Sequence, residues 1–309
     1  MLDDLGTLHA RDPHGFLERL RSLPDTDTGP DGARPGPYGF DATGAAAVLV
    51  PLLAPWTDGR RTSRGTQFLV ADGFAADGEA AALRAAAELA GVDLVVLGAA
   101  LEDEGLGAEP DVGLPDDALA PYHLVRYLAY ATDRPEAVGR LASALRRVAA
   151  AADPGLPTAE NPAKRLAWAL WQRVPLLVSE RTAAPCQALV QQTFARVGKA
   201  LAVPTGDHGA AVAAAAFEGR HALADDLVAL VIGRRRPDTD LVEEVLATRV
   251  AQVERLAFDD GWLPPATEDP VVDGLVLWYA ATWVAAYGAL LAELDPAAES
   301  VYGRVRAVA

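Results

Sequence analysis

Short apolar runs alternate with amphipathic stretches of helical period along most of the chain. Apolar runs of this length, bounded by Gly and Asp, are typical of buried strands in a parallel sheet, and the stretches between them are typical of the helices of βαβ units. The predicted strands are 67–71, 92–97, 174–179, 201–203 and 227–232. The predicted helices are 13–21, 44–53, 77–90, 121–131, 135–152, 162–173, 185–199, 239–256 and 271–294.

Two clusters of turn residues divide this pattern. Residues 22–37 are rich in Pro, Gly and Asp and nearly free of apolar side chains, which predicts a linker. Asp153–Pro157 is a second cluster, after which strands and helices alternate again. There Asn161 suits a helix cap and Pro162 suits the first helical turn. The sequence therefore predicts an N-terminal helix and linker (1–37) followed by two α/β halves (38–152 and 153–309).

The composition excludes several classes of protein. The chain has 309 residues, is 51% hydrophobic and carries a net charge of −16. That charge opposes contacts with nucleic-acid phosphates and with anionic lipid, so we expect neither partner. Cys186 is the only cysteine, which rules out an intramolecular disulfide and a cysteine-built zinc or iron–sulfur centre. The N-terminal residues lack the pattern of a signal peptide, so we expect a cytoplasmic protein.

One uncharged stretch, Gly274–Ala292, approaches the length of a membrane-spanning helix. It is rich in Ala and has acidic residues on both sides, with no basic cluster that would set a topology. The pattern favours a helix buried all round in a core or a subunit interface, and no membrane partner is expected.

Several residues could carry chemistry, each with a plainer alternative. The turn Gly39–Gly44 could hold a phosphate or simply begin a helix. His208 lies in a loop and suits proton transfer near neutral pH, or is an exposed turn residue. Glu180 follows a predicted strand, at the edge where open α/β sheets place ligands, but many loops carry a carboxylate. Arg196 and Lys199 share a helix face and either hold an anion or are solvated.

The run Arg234–Arg236 follows the predicted strand 227–232 and is typical of a solvated loop, with phosphate contact as the alternative. No carboxylate–histidine spacing predicts a metal site, and no serine lies in a nucleophile elbow.

The second half carries a set of short motifs in a fixed order. They are Asn161–Lys164 before a helix, the strand Val174–Ser179, Gln192–Lys199, the segment Pro204–His208 and an apolar C-terminal helix followed by Asp295-Pro296. Together they resemble the bifunctional phosphoglucose/phosphomannose isomerase family, a branch of the sugar-isomerase (SIS) domain proteins. The resemblance spans about residues 160–309 and covers 38–150 in outline.

The resemblance implies an α/β fold of two tandem SIS-like subdomains, each a parallel sheet flanked by helices in a three-layer αβα arrangement. It also implies a homodimer with active sites near the interface. The implied reaction interconverts fructose 6-phosphate with glucose or mannose 6-phosphate through a cis-enediol, without a metal or other cofactor.

The site residues implied by the resemblance are only partly retained. His208 matches the family's ring-opening histidine, and Lys199 matches a family lysine. The family's glutamate base aligns with Arg196, and its arginine aligns with Tyr122. The lysine near the family's C-terminus aligns with Arg304 or Arg306, which would keep the charge.

The implied phosphate loops are also altered. A Gly-Gly-Ser loop is reduced to the stretch that holds Gly39, Thr43 and Gly44, and a Ser/Thr-rich loop has become residues 71–77 with two aspartates. Carboxylates there would repel a phosphate.

Three hypotheses follow. In the first, the protein is a phosphosugar isomerase in which His208 opens the ring and Glu180 or Glu160 replaces the base. The anion is then held by Arg196, Lys199 and Arg306, together with the glycine-rich stretch. In the second, a degenerate SIS-fold protein binds a phosphosugar or another anion as a sensor or structural dimer. In the third, the protein is a structural dimer with no ligand.

Overall fold

The computed structural model describes residues 1–26, 32–42, 44–70, 84–98, 111–115, 118–180, 183–206, 226–258 and 260–298. Several predictions fall outside these residues. They concern Thr43, the loop 71–77, the beginning of the helix 77–90, His208 and the C-terminal arginines Arg304 and Arg306.

The first half of the chain contains four strands in the described residues. Its helices are α1 (Leu5–Arg11), α2 (Phe16–Ser22), α3 (Leu49–Leu53), α4 (Ala120–Ala131) and α5 (Pro135–Ala151). Its strands are β1 (Tyr38–Ala42), β2 (Thr66–Val70), β3 (Asp93–Gly98) and β4 (Val112–Gly113). Short 3₁₀ turns cover Leu23–Asp25, Gly44–Val48 and Ala54–Trp56, and residues 84–90 are helical.

The second half repeats the alternation. Its helices are α6 (Pro162–Leu170), α7 (Ala184–Arg196), α8 (Pro237–Ala247) and α9 (Pro270–Leu291). Its strands are β5 (Val174–Ser179), β6 (Val203–Pro204), β7 (Leu227–Gly233) and β8 (Gln252–Ala257).

Each half contributes a parallel four-stranded sheet, in the order β1-β2-β3-β4 and β6-β5-β7-β8. Helices flank both sheets, so the predicted three-layer α/β architecture is confirmed. In the second sheet, α8 packs through Val242 and Leu246 on Leu176, Val178 and neighbouring residues of β7. The register pairs Ser179 with Ile232, which places the ends of β5 and β7 side by side.

The described residues form two compact units. One contains those of Met1–Asp25 together with those of Leu141–Ser300, and the other contains those of Thr26–Arg140. The first unit is therefore discontinuous in sequence, and its boundary with the second falls within α5. The predicted divisions at 37/38 and 152/153 remain predictions.

The helix α9 forms the centre of the first unit. All but two of its residues are buried, and α6 and α7 pack against it. The Tyr279 hydroxyl donates to the carbonyl of Leu20 at 2.7 Å, and the Tyr287 hydroxyl donates to that of Ala152 at 2.6 Å. By length and composition this helix could span a membrane, but 94% of its most apolar window is buried inside the protein. The prediction of a helix buried all round is confirmed.

Two element predictions were wrong, and one helix was missed. The helix predicted at 13–21 is α2, and α1 precedes it outside the predicted range, with Asp12 between the two accepting hydrogen bonds from the amides of Phe16 and Leu17. Residues 39–42, predicted as part of a turn, belong to β1, which pairs along its whole length with β2.

The single helix predicted at 239–256 is instead α8 followed by the edge strand β8. The helix ends where the Thr248 hydroxyl bonds the carbonyl of Val245, at 2.7 Å. The following residues, Gln252–Ala257, pair with β7 along their whole length. Pairing with a neighbouring strand overrides the helical period that Val250 and Val253 continue.

Candidate functional site

Three strands of the second sheet end at one edge. Glu180 directly follows β5, Gly233 ends β7, and Thr205 and Gly206 follow β6. The carboxyl edge of a parallel sheet is where open α/β folds bind ligands. This edge of the second sheet is therefore the candidate site.

Glu180 is a buried carboxylate, only 4% exposed. Its Oε1 accepts a hydrogen bond from the backbone N–H of Arg234 at 3.1 Å. Its Oε2 lies 2.7 Å from Nε of Arg236, an ion pair in which the two atoms are not aligned as a hydrogen bond. The carboxylate is thus fixed at one oxygen and has unused accepting capacity at the other.

Gly233 brings the end of β7 against this carboxylate. Its φ of +112° lies in a region that side chains with a Cβ rarely adopt. A Cβ at this position would lie 2.9 Å from that of Ala183 and 3.3 Å from Oε1 of Glu180. Glycine therefore permits the close approach that lets the amide of Arg234 reach Glu180.

Arg234 joins the same edge to the core helix α9. Its Nη2 lies 2.7 Å from Oδ2 of the buried Asp273 and also donates to the carbonyl of Thr267. Oδ1 of Asp273 in turn accepts from the amide and hydroxyl of Thr267, at 2.7 and 2.8 Å. This network fixes the backbone of Arg234 and therefore the position of Glu180.

A second network joins the ends of β5 and β6. The buried Gln187 donates to the hydroxyl of Ser179 at 2.6 Å and accepts from the amide of Gly206 at 2.9 Å. The hydroxyl of Thr205 donates to the carbonyl of Leu177 at 2.9 Å. His208 lies two residues beyond Gly206, outside the described residues, so its role remains a prediction.

The other predicted base does not join this site. Glu160 is exposed in the turn before α6, and among the described residues no hydrogen bond or ion pair connects it with Glu180. Its role as a base stays a prediction.

Arg196 and Lys199 lie together at the end of α7. Nζ of Lys199 donates to the carbonyls of Arg196 and Ala298, the latter at 2.7 Å. Burial lowers the pKa of Lys199, which Asp295 partly opposes. The ammonium group thus caps the last turn of a helix, a structural task that competes with the predicted anion binding.

In the first sheet, Gly39 lies within β1 and not in a loop. A Cβ on it would lie 2.2 Å from Oε1 of Gln67, which stands opposite in the register. Gly44 begins a five-residue 3₁₀ turn. Substrate contacts at Gly39 and Gly44 remain predictions. A carboxylate, that of Asp41, lies near the carboxyl end of β1, and its Oδ1 accepts a hydrogen bond from Arg60 at 2.6 Å.

Lys164, in the Asn161–Lys164 motif, is completely buried. Its ammonium donates to the carbonyls of Leu2, Pro154 and Leu156, at 2.7, 2.9 and 2.7 Å. Burial lowers the pKa of Lys164, while Asp3 and Asp153 oppose that shift. The cap predicted at Asn161 is confirmed, since its side chain accepts from the amide of Lys164 at 3.0 Å. The motif therefore stabilises the start of α6 and the N-terminal residues.

A cleft of about 770 Å³ lies between α6, α8 and β8. Its charged lining includes Arg165, Arg235, Glu244, Asp260 and the ion pair of Glu243 with Arg255. It does not include Glu180, so we place the candidate chemistry at the sheet edge and not in this cleft. Among the described residues, no group of three or more His, Cys, Asp or Glu side chains could hold a metal ion.

The sequence interpretation missed the role of the arginine run. The pattern favours a solvated loop at Arg234–Arg236, whereas two of its members contact the buried Glu180. A usable signal was present, because a glycine followed by arginines directly after a buried strand places them at the ligand-binding edge of the sheet.

The site thus consists of a buried carboxylate and arginines at the carboxyl edge of a parallel sheet flanked by helices, an arrangement of the α/β class. Residues 16–133 match the model of the phosphoglucose isomerase N-terminal domain, and residues 159–307 match that of the bacterial phospho-glucose isomerase C-terminal SIS domain. A search of curated proteins finds no match.

Among solved structures, a glucose-6-phosphate isomerase like protein from Thermus thermophilus is 31% identical, with a TM-score of 0.82. The alignment covers 100% of this chain and 99% of that one. The chain therefore belongs to the bacterial phosphoglucose isomerase family, and it is a phosphosugar isomerase-like SIS protein.

More distant structures share the fold alone. A hypothetical protein, also from Thermus thermophilus, is 14% identical, with a TM-score of 0.58 over 98% of this chain and 89% of that one. Glucosamine-6-phosphate deaminase from Thermotoga maritima is 9% identical, with a TM-score of 0.55 over 96% of both chains.

Proposed function

We propose that the protein is an aldose–ketose isomerase that interconverts fructose 6-phosphate with glucose or mannose 6-phosphate, with Glu180 as its base. The observation that carries this proposal is the buried carboxylate of Glu180 at the carboxyl edge of β5, with Oε2 outside any hydrogen bond. Membership of the phosphoglucose isomerase family supports the reaction class.

A base for this reaction must move a proton between two neighbouring carbons of the open-chain sugar. Glu180 removes the proton from C2 of the aldose, and the pair of electrons left behind forms the double bond of the cis-enediolate. The same carboxyl group then returns a proton to C1, while the hydroxyl proton of O2 moves to O1 and the C2–O2 bond becomes the carbonyl of the ketose. Substrate and product are isomers, so no oxidant or reductant is consumed.

The other roles follow the predictions from the sequence. His208 assists ring opening, and Arg196 and Arg306 contact the anionic substrate. The Lys199 ammonium is already bound to two carbonyls, so the proposal depends less on it. Glu160 is exposed and unconnected to the edge, which favours Glu180 over Glu160 as the base. We also propose that the protein acts in the cytoplasm as a homodimer.

The test is a coupled assay of fructose 6-phosphate isomerisation, with protein made in a host that lacks its own hexose-phosphate isomerases. Removing a general base lowers the rate by about 10²–10⁴-fold, so Glu180→Gln is expected to lose kcat on that scale. His208→Ala is expected to slow turnover of the cyclic sugar.

Glu160→Gln is the matched control, because it removes an exposed carboxylate of the same chemistry. It is expected to keep kcat within about twofold, as surface substitutions usually do. Full activity of a correctly folded Glu180→Gln variant, or no turnover by the wild-type protein, would contradict the proposal.

A further inference from the structure

The three arginines at the end of β7 have different surroundings. The side chain of Arg234 is bound to Asp273 and to the carbonyl of Thr267. Nε of Arg235 donates to Oδ1 of Asp240 at 2.9 Å, on the side of the run that lines the cleft. Arg236 alone of the three places its guanidinium against Glu180.

Arg236 is arranged to present its guanidinium outward. Its side chain is 50% exposed, and its Nε lies 2.7 Å from Oε2 of the buried Glu180. Neither of its Nη atoms donates to any described residue. A guanidinium offers a planar fork of N–H groups that matches two oxygens of a phosphate. The contact through Nε holds the group in place and leaves the outer fork for a ligand.

Arg236 supplies a positive charge at this point, opposed by the carboxylate of Glu180 with which it pairs. Arg236 is the cap residue of α8, an 11-residue helix whose positive N-terminal end lies beside it. The neighbouring carboxylates Asp273 and Asp240 are already paired with Arg234 and Arg235. In a protein of net charge −16, a dianionic ligand needs such a local cationic group to overcome general repulsion.

We propose that Arg236 binds the phosphate group of the sugar phosphate through its Nη atoms, next to Glu180. This inference rests on the proposed function for the identity of the ligand, a phosphate monoester dianion. Arg236 then holds the substrate's anionic end at the same edge at which Glu180 meets its reacting carbons.

The test measures binding without turnover, by titration calorimetry with inorganic phosphate and with fructose 6-phosphate. Arg236→Gln is expected to weaken the binding of both by about 10–100-fold, the equivalent of losing charged hydrogen bonds. The matched control is Arg235→Gln, which removes the same charge one residue away. We expect it to bind both ligands within about twofold of the wild type.

Equal losses in both arginine variants would mean a general charge effect and would overturn the inference, as would unchanged binding by Arg236→Gln. Because Arg236→Gln leaves Glu180 without its ion pair, the double variant Glu180→Gln/Arg236→Gln serves as a folding control. If this neutral pair melts like the wild type and still binds phosphate like the wild type, Arg236 is not the phosphate group's ligand.

The two proposals fail in different ways. A wild-type protein that binds phosphate through Arg236 but does not isomerise the sugar overturns the proposed function only. If turnover depends on Glu180 but Arg236→Gln binds phosphate as the wild type does, only this inference is overturned.

Discussion

The two sheets each end a strand with a buried carboxylate and arginines, but the two edges are built differently. At the edge of the first sheet, Asp41 pairs with Arg60 and lies 3.7 Å from Arg61, and both arginine side chains are 67% exposed. At the edge of the second sheet, Arg234 is anchored to the core helix α9 through Asp273.

The two edges differ in whether the residues that contact the carboxylate are themselves anchored to the protein core. Exposed arginines lose much side-chain freedom when they stay beside Asp41, so that cluster can rearrange at little cost. At Glu180 one contact comes from the backbone amide of Arg234, and the side chain of Arg234 is fixed by part-buried hydrogen bonds to Thr267 and Asp273. Asp41 also accepts from a backbone amide, that of the adjacent Ala42 at 3.0 Å, whereas the amide that holds Glu180 belongs to a residue anchored to the core helix. Such an anchored partner is what the positioning of a catalytic base requires.

The largest expected effect is a difference in the free energy of unfolding between a substitution at the second edge and one at the first. Asp273→Ala removes the acceptor for Arg234 and for both donors of Thr267, and the loss of these three part-buried hydrogen bonds, at about 1 kcal/mol each, is expected to cost about 3 kcal/mol of unfolding free energy. Asp41→Ala is expected to cost about 1 kcal/mol, because its partners return to water. Urea unfolding of both variants measures the difference, and equal losses would show that the two edges are built alike.

A smaller effect is expected at the glycine that lets the two strands approach. Gly233→Ala adds a Cβ at a φ of +112° and against Ala183 and Glu180, which we expect to cost about 2–3 kcal/mol. Gly15→Ala is the control in the same unit, since φ there is +62° but no atom lies within 4 Å of the added Cβ. It is expected to cost about 1 kcal/mol. Thermal or urea unfolding measures both variants. If Gly15→Ala loses as much unfolding free energy as Gly233→Ala, the packing argument is refuted.

The smallest expected effect is a pH dependence of stability that arises from Cys186, a buried residue of α7. Burial raises the pKa of Cys186 to about 12, from an ordinary value of 9.0. A pKa raised in the folded state gives a stability contribution that is complete below pH 9 and is lost as the pH rises toward 12. The wild type should therefore lose about 1 kcal/mol relative to Cys186→Ala between about pH 8.5 and 10.

Urea unfolding at a series of pH values measures this loss. The first unit contains Cys186, so the dependence should follow the unfolding of α7 and α9, which the Sγ–carbonyl contact with Gly274 joins at 3.4 Å. A difference between the two proteins that stays constant with pH would show that the thiol is not shielded.

Much of the second sheet could be predicted because its strands are continuous apolar runs. The strand 174–179 was predicted with the bounds that the structure has, and the cap at Asn161 followed from local chemistry. The strand β8 was missed because its apolar positions continue a helical period, and only its pairing with β7 makes it a strand.

The site was predictable only in part, for a related reason. The position of Glu180 at a strand end could be read from the chain. Its partners could not, because Arg234 lies 54 residues further on and is brought there by the pairing of β5 with β7. Side chains that meet through sheet order leave no spacing pattern in the sequence.

The discontinuous first unit has a consequence for synthesis of the chain. The helices α1 and α2 contact α9, where Tyr279 bonds the carbonyl of Leu20 and Arg11 bonds that of Leu290 at 3.0 Å. At about 5–20 residues per second, the ribosome delivers α9 tens of seconds after α2. During that interval the apolar faces of α1 and α2 lack their contacts with α9. We expect these faces to be accessible to chaperones until α9 has been synthesised.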